Sequence, residues 1–259
     1  MNNLEIYKNI SIQHGLPLQF VIKEVHVFDI LSQITAFCNT NNKKLIFKGG
    51  TALSKIYLCK TQRFSEDLDF DYDANSNEIL KLSKTLAKNI TGYNIKEFRR
   101  IIDTIQFYCV FESPIGKDTV RVDIARKKII TAKKITMKTA KSEFLQSTVS
   151  GIKTYSLEDL VARKICALSN RAEGKDFYDV YNSLTLCKNM NSAIKQMLKS
   201  ENTKLTPKKF ILKTIEKVKK SDYKKLRNIT NPFIPLSLRP KDWQELKYDL
   251  IINLEKLKI

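Results

Sequence analysis

Residues 47–73 read FKGGTALSKIYLCKTQRFSEDLDFDYD, and the order of chain types within them decides the fold. A short apolar run at 44–47 precedes Gly49-Gly50, and a helical pattern over 51–59 puts Ala52, Leu53, Ile56 and Tyr57 on one stripe. Strand, paired glycines and helix start suit a phosphate. Glycine lets the backbone come close, and the first N–H groups of a helix lack internal partners. A polar loop with Arg63 and Ser65 then leads into Glu66-Asp67-Leu68-Asp69-Phe70-Asp71. Alternate residues of a strand share a face, so Asp67, Asp69 and Asp71 point one way and Leu68 and Phe70 the other. Carboxylates on one face repel unless a cation lies between them, and oxygen-only ligands suit Mg²⁺ held against phosphates. A phosphate cradle followed by an acid pair is the minimum equipment for metal-assisted nucleotidyl transfer. Each half alone has a plainer reading, a tight turn or a solvated strand edge; their order within so short a stretch points to a site.

GGT-x-L-x-K at 49–55 followed by RFSEDLDF at 63–70 resembles the first motif of nucleotidyltransferase toxins of the AbiEii/AbiGii type, the toxin half of type IV toxin–antitoxin systems. That motif, a Gly-Gly-Thr/Ser turn and an Arg-x-Ser-x-Asp-x-Asp strand, falls on Gly49, Gly50, Thr51, Arg63, Ser65, Asp67 and Asp69. The resemblance implies a nucleotide site built with Lys48, Gly49, Gly50, Thr51, Arg63 and Ser65, and metal ligation by Asp67 and Asp69.

Composition sets wider bounds. The chain of 259 residues is long enough for one large domain or two small ones. Forty-six Lys and Arg against 27 Asp and Glu give +19, which favours a polyanionic partner such as nucleic acid or nucleotide phosphates. A solvated lysine-rich surface is the plainer alternative. No apolar run approaches the roughly 18 residues of a membrane span, and Met1-Asn2-Asn3 opens no signal-peptide pattern, so a cytoplasmic protein without membrane contact is expected. The five cysteines are scattered and never in C-x-x-C spacing, which reads as buried free thiols. With two histidines, no His-based nucleophile relay or His-rich metal site can be assembled.

Outward from the central stretch, 1–17 reads as a short helix and 18–39 as an amphipathic helix with Val21, Val25, Phe28, Leu31, Ile34 and Cys38 on its stripe. A helix over 77–89, capped by Asn75 or Ser76, is followed by strands at 93–98, 104–112 and 118–125. Asp123 interrupts Val122 and Ile124 in the last of these. It is either a third carboxylate beside the acid pair or a surface acid paired with Arg121. Residues 126–141 carry seven Lys or Arg and no acid, and read as a basic strand or loop. Ser156 caps a helix running to about 169 whose stripe contains Lys164, four residues from both Leu160 and Leu168. A lysine there either snorkels to solvent or meets a phosphate or carboxylate. The next helix starts at Asp176, with Asp179 on the same flank. LEDLVARKICAL…R…KDFYDVY resembles the second block of the same toxin family, which implies that Lys164, Asp176 and Asp179 face the active site; the family's third acid falls at Asp123. From 188 the resemblance fades. Residues 188–227 hold thirteen Lys or Arg against three acids on helical patterns, 231–235 should be extended, and a last helix starts near Trp243.

The reading is an α/β (α+β) chain: a nucleotidyltransferase-like core with a small mixed sheet over 1–150, and a helical part over 151–259 that closes the cleft. By the resemblance, Gly49, Gly50 and Thr51 hold the triphosphate of an NTP, Asp67, Asp69 and Asp123 hold two Mg²⁺ ions, Lys164 with Arg63 offsets charge on the leaving pyrophosphate, and the acceptor is RNA, tRNA in particular. A cognate antitoxin encoded nearby is the expected protein partner. A non-catalytic nucleotide- or RNA-binding module, and an enzyme modifying a protein or small-molecule hydroxyl, stay open.

Overall fold

The alternating acids form strand β2 (Leu68–Tyr72) near the middle of a mixed sheet, which has seven strands among the residues described, 3–259, of this computed structural model. Met1 and Asn2, and what the sequence suggests of them, lie outside those residues. The other strands are β1 (Ile46–Lys48), β3 (Asn94–Ile101), β4 (Thr104–Ser113), β5 (Gly116–Arg126), β6 (Thr136–Lys141) and β7 (Thr148–Thr154), ordered β3-β4-β5-β2-β1-β7-β6. β2 is antiparallel to β1 and parallel to β5, β1 is parallel to β7, and the outer pairs are antiparallel.

Register gives the sheet two unlike faces. Leu68 pairs with Val122, and Phe70 with both Phe47 and Ile124; all are buried. This apolar face packs under α2 (Leu18–Thr40) and α4 (Ser76–Asn89), where burying branched and aromatic side chains supplies most of the stabilisation. On the other face the same register sets Lys48, Asp69, Asp123 and Gln106 in one row across β1, β2, β5 and β4. A core strand cannot carry such a row, so this face is the floor of a cleft.

After β1 the chain turns into α3 (Gly49–Ala52), which widens into a π-helical turn at Leu53–Tyr57. The helix expected over 51–59 thus starts two residues earlier and is irregular. Lys55, inside the wide turn, is fully buried against an equally buried Glu24 of α2, and Ser142 also donates to Glu24. A charge pair survives in such a place only when both members are matched. Asn75 caps α4 in a capping box with Glu78, and Ser156 caps α5 (Leu157–Asn170). Helices α6 (Gly174–Leu184), α7 (Met190–Ser200), α8 (Pro207–Lys219), α9 (Tyr223–Thr230) and α10 (Trp243–Glu255) follow, while α1 (Asn3–His14) precedes α2. α5 and α6 pack on the glycine turn, and one apolar cluster runs from Ile22 through the sheet to Leu254 on α10.

Some expectations hold and others change. Residues 126–141 are strand and loop as expected, the end of β5, a loop and then β6, the loop being held by Asp159, which accepts from the Ala132 and Lys133 amides. Residues 231–233 form a 3-10 turn instead of extended chain, since proline is tolerated in a first helical turn. Cys38 and Cys109 are buried, but Cys59, Cys166 and Cys187 are half-buried; all five are free. Among the described residues no helix is long and apolar enough to cross a membrane.

Candidate active site

Asp69 and Asp123 are lateral neighbours on parallel strands, and Asp67 lies just before β2. Asp123 Oδ1 accepts from Gln106 Nε2 at 2.9 Å. Arg121 spans one oxygen of each of two acids, 2.6 Å from Asp67 Oδ2 and 3.4 Å from Asp123 Oδ2. Lys48 Nζ lies on Asp71, which Tyr155 also holds through its hydroxyl at 2.7 Å. Asp71 is thus a buried structural acid, although it shares the face. Asp69 is left without an ion pair among the described residues. Burial, with the charges of Asp67 and Asp123, pushes its carboxyl up to about 6 against the pull of Lys48. Burial also raises Asp67, with Arg121 opposing.

Behind the acids lies a closed charge network. Asp179 accepts from Arg63 Nε and Nη2, each at 2.7 Å, and from Lys164 Nζ at 2.9 Å. Asp176 accepts from Lys164 Nζ at 2.8 Å and from Arg171 Nε and Nη2 at 2.8 and 3.0 Å. Burial opposes ionisation of both, yet Arg171 and Lys164 hold Asp176 at about 2, and Arg63 and Lys164 keep Asp179 below the usual carboxylate range. Arg63 Nη1 donates to the Phe64 carbonyl, so all three of its nitrogens are engaged internally. The Thr51 hydroxyl bonds the Asp67 carbonyl and meets the Ser65 hydroxyl at 2.8 Å. The side chains of Thr51, Arg63, Ser65, Asp176 and Asp179, expected at the nucleotide site, are all buried and bonded to protein groups behind the glycine turn. Their polar atoms already satisfy one another.

Both glycines have a physical reason. Gly49 sits at φ +79°, and a Cβ there would lie 2.3 Å from Asp69 Oδ2. A Cβ on Gly50 would lie 2.6 Å from Arg63 Nη2. No side chain caps the helix start after Lys48, so its first amides are not engaged by a capping group. These amides border a cavity of about 310 Å³ floored by Lys48, Gly49, Gly50 and Asp69 and walled by Arg163, Lys164 and Arg171 of the α5 side. Basic walls, an acidic floor and a helix start form a setting for phosphate. Lys164, only 8% exposed, takes the carboxylate option and still lines this cavity. Arg163 and Arg171 were missed, although Leu160, Lys164, Ala167 and Arg171 follow one helical stripe legible in the sequence.

The acids suit Mg²⁺ in kind, being hard oxygen donors with Asp69 unpaired and reluctant to ionise alone. They do not form a closed cage: among the described residues no three His, Cys, Asp or Glu side chains stand close enough to hold a metal. Arg121 lies across Asp67 and Asp123 and competes with a cation for them. Replacing it by Gln (Arg121→Gln) is expected to tighten apparent Mg²⁺ affinity roughly two- to five-fold, the size of a half-exposed ion pair. The Mg²⁺-dependent rise in melting temperature measures this; an unchanged midpoint would show that Arg121 does not compete.

The profile of the family described as "Nucleotidyl transferase AbiEii toxin, Type IV TA system" matches residues 30–251. No curated protein matches the sequence. Among solved structures, the nucleotidyltransferase toxin MenT4 of Mycobacterium tuberculosis H37Rv is similar with a TM-score of 0.60 at 15% identity, over 97% of this chain and 90% of that one. JHP933 of Helicobacter pylori is similar with a TM-score of 0.56 at 17% identity, over 93% and 92%. At such identities the likeness is one of fold. The profile, spanning both the acid strand and the Lys164 helix, carries the assignment, and the chain belongs to the AbiEii family of nucleotidyltransferase toxins.

Proposed function

We propose that this toxin transfers a nucleoside monophosphate from an NTP to a hydroxyl of RNA, tRNA in particular, in a Mg²⁺-dependent reaction in the cytoplasm. The observation that supports it most is the row Lys48–Asp69–Asp123 set directly beneath the glycine turn. The amides after Lys48 and the cations Lys48, Arg163 and Lys164 receive the triphosphate. Asp67, Asp69 and Asp123 hold Mg²⁺, which when bound neutralises phosphate charge and lowers the pKa of the attacking hydroxyl. Asp123 Oδ2, the oxygen that Gln106 leaves free, takes that proton. The acceptor oxygen bonds the α-phosphorus as the bond to pyrophosphate breaks, and Lys164 offsets the charge that leaves. The core over 1–150 supplies the acids and turn, and the part over 151–259, whose first residues complete strand β7, closes the cleft with its helices. A cognate antitoxin encoded nearby is the expected antagonist.

The test incubates the protein with each α-labelled NTP and total tRNA, in Mg²⁺ or in EDTA. Label should appear on RNA, with release of pyrophosphate, in Mg²⁺ only. Label confined to protein or small molecules would overturn the RNA acceptor, and equal transfer in EDTA would overturn the metal dependence.

A further inference from the structure

A second cavity, about 430 Å³, opens beside the cleft between the start of α6 and the α8–α9 corner. Its lining includes Arg171 and Lys175 from one side and Lys217, Lys220 and Lys225 from the other. None of the last three has a carboxylate within ion-pair distance among the described residues, and all are exposed. The basic stretch at 126–141 differs: Arg126, Lys127 and Lys133 are paired with Asp103, Glu201 and Glu158. Charge density in the sequence makes the two stretches look alike; the cavity gathers three lysines of the second, while three cations of the first are spent on carboxylates.

Two further features give the cavity a built floor. The eleven-residue helix α6 starts there with no side-chain cap, presenting amides at its positive end. Thr230, which lines the same cavity, is wholly buried, and its hydroxyl has no hydrogen-bond partner. It lies against the bare Cα of Gly174, where a Cβ would come within 1.9 Å of Oγ1. A buried, unpartnered hydroxyl costs stability unless a ligand completes it. Amide donors, a hydroxyl and convergent lysines together recognise a phosphate.

Arg171 lines both cavities, and Lys175 Nζ lies 3.7 Å from Glu66 Oε1, next to Asp67. A phosphate bound here would therefore lie next to the nucleotide cavity, with Arg171 between the two. We infer that the α6–α9 cavity is a subsite for a backbone phosphodiester of the RNA acceptor, which holds the strand while its hydroxyl reaches Asp123. This rests on the RNA-acceptor reading above.

The test measures binding of a labelled tRNA at several salt concentrations for wild type, Lys217→Gln/Lys225→Gln, Thr230→Val, and Lys133→Gln/Lys134→Gln as a control, each checked for an unchanged circular dichroism spectrum and a melting temperature no lower than that of wild type. Binding of NTP is measured in parallel. The Lys217/Lys225 variant should bind tRNA at least tenfold more weakly, with a log–log salt slope flatter by about 0.7–0.9 for each phosphate no longer neutralised. Thr230→Val should weaken tRNA binding several-fold and leave NTP binding alone. The Lys133/Lys134 control should change tRNA binding little. Wild-type binding that neither cavity variant alters overturns the subsite and leaves the acceptor reading intact. Absence of tRNA binding by wild type overturns both. Loss of NTP binding along with tRNA binding would make the cavity part of the nucleotide site, and overturns the phosphodiester assignment.

Discussion

Asp69→Asn is expected to abolish nucleotidyl transfer and yet to raise the melting temperature at pH 8. Its carboxyl is near 6 in the folded protein, against 3.8 in an ordinary setting. Between those values the folded chain binds more protons than the unfolded one, so stability falls as pH rises through that window. Above pH 6 the cost is fully present, on the order of 3 kcal/mol for such a shift. Asparagine removes the charge and the cost. For a chain of this size that corresponds to a rise of about 5–10 °C. Below about pH 3 the wild-type carboxyl is largely protonated in both states, and the two melting curves should converge. Mg²⁺ should stabilise wild type at pH 8 and do so much less in the variant. A variant less stable than wild type at pH 8, or an advantage that does not shrink with acid, would show that Asp69 carries no such strain.

Asp179→Ala should do the opposite and unfold much of the protein. Its carboxylate is the shared anion of Arg63, which is 2% exposed, and of Lys164. Removing it strands Arg63 with no water to replace the missing oxygens, a loss of about 3–5 kcal/mol. Asp176→Ala should cost less, because its partner Arg171 is half-exposed and can turn to solvent. The denaturant midpoint measures both. Equal midpoints for Asp179→Ala and wild type would mean that the network does not hold α6 against the glycine turn. Acid provides a check from the same residues. Asp176, held at about 2, contributes stability that is present above pH 4 and lost as pH falls toward 2.

The sequence carried the centre of the fold because period-2 and period-3.6 patterns coincide with buried faces there. Asp67-x-Asp69 and Val122-x-Ile124 alternate cleanly, and their register sets Asp69 beside Asp123. Trp243, Leu246, Leu250 and Leu254 all turn inward on α10 as spaced. Strand β7 was not legible: TVSGIKT has two strongly apolar residues, and Gly151 sits at φ +80° within it. Helix α9 was missed because it buries little beyond Leu226 and Thr230. At the site, motif spacing located the residues but not which of them face the cleft. Arg63 and Arg121 look equally available in one dimension. Only the fold shows the first locked to Asp179 and the second lying across Asp67 and Asp123.

Gly49 has a consequence at the level of the gene. Its backbone is left-handed, and the space where a side chain would begin is filled by the Asp69 carboxylate. Every base change in the first two positions of a glycine codon installs a side chain or ends translation. One codon of this toxin is therefore a point where a single altered base sets a side chain against the central acid. Cells under self-poisoning have there a one-base route to a silenced toxin.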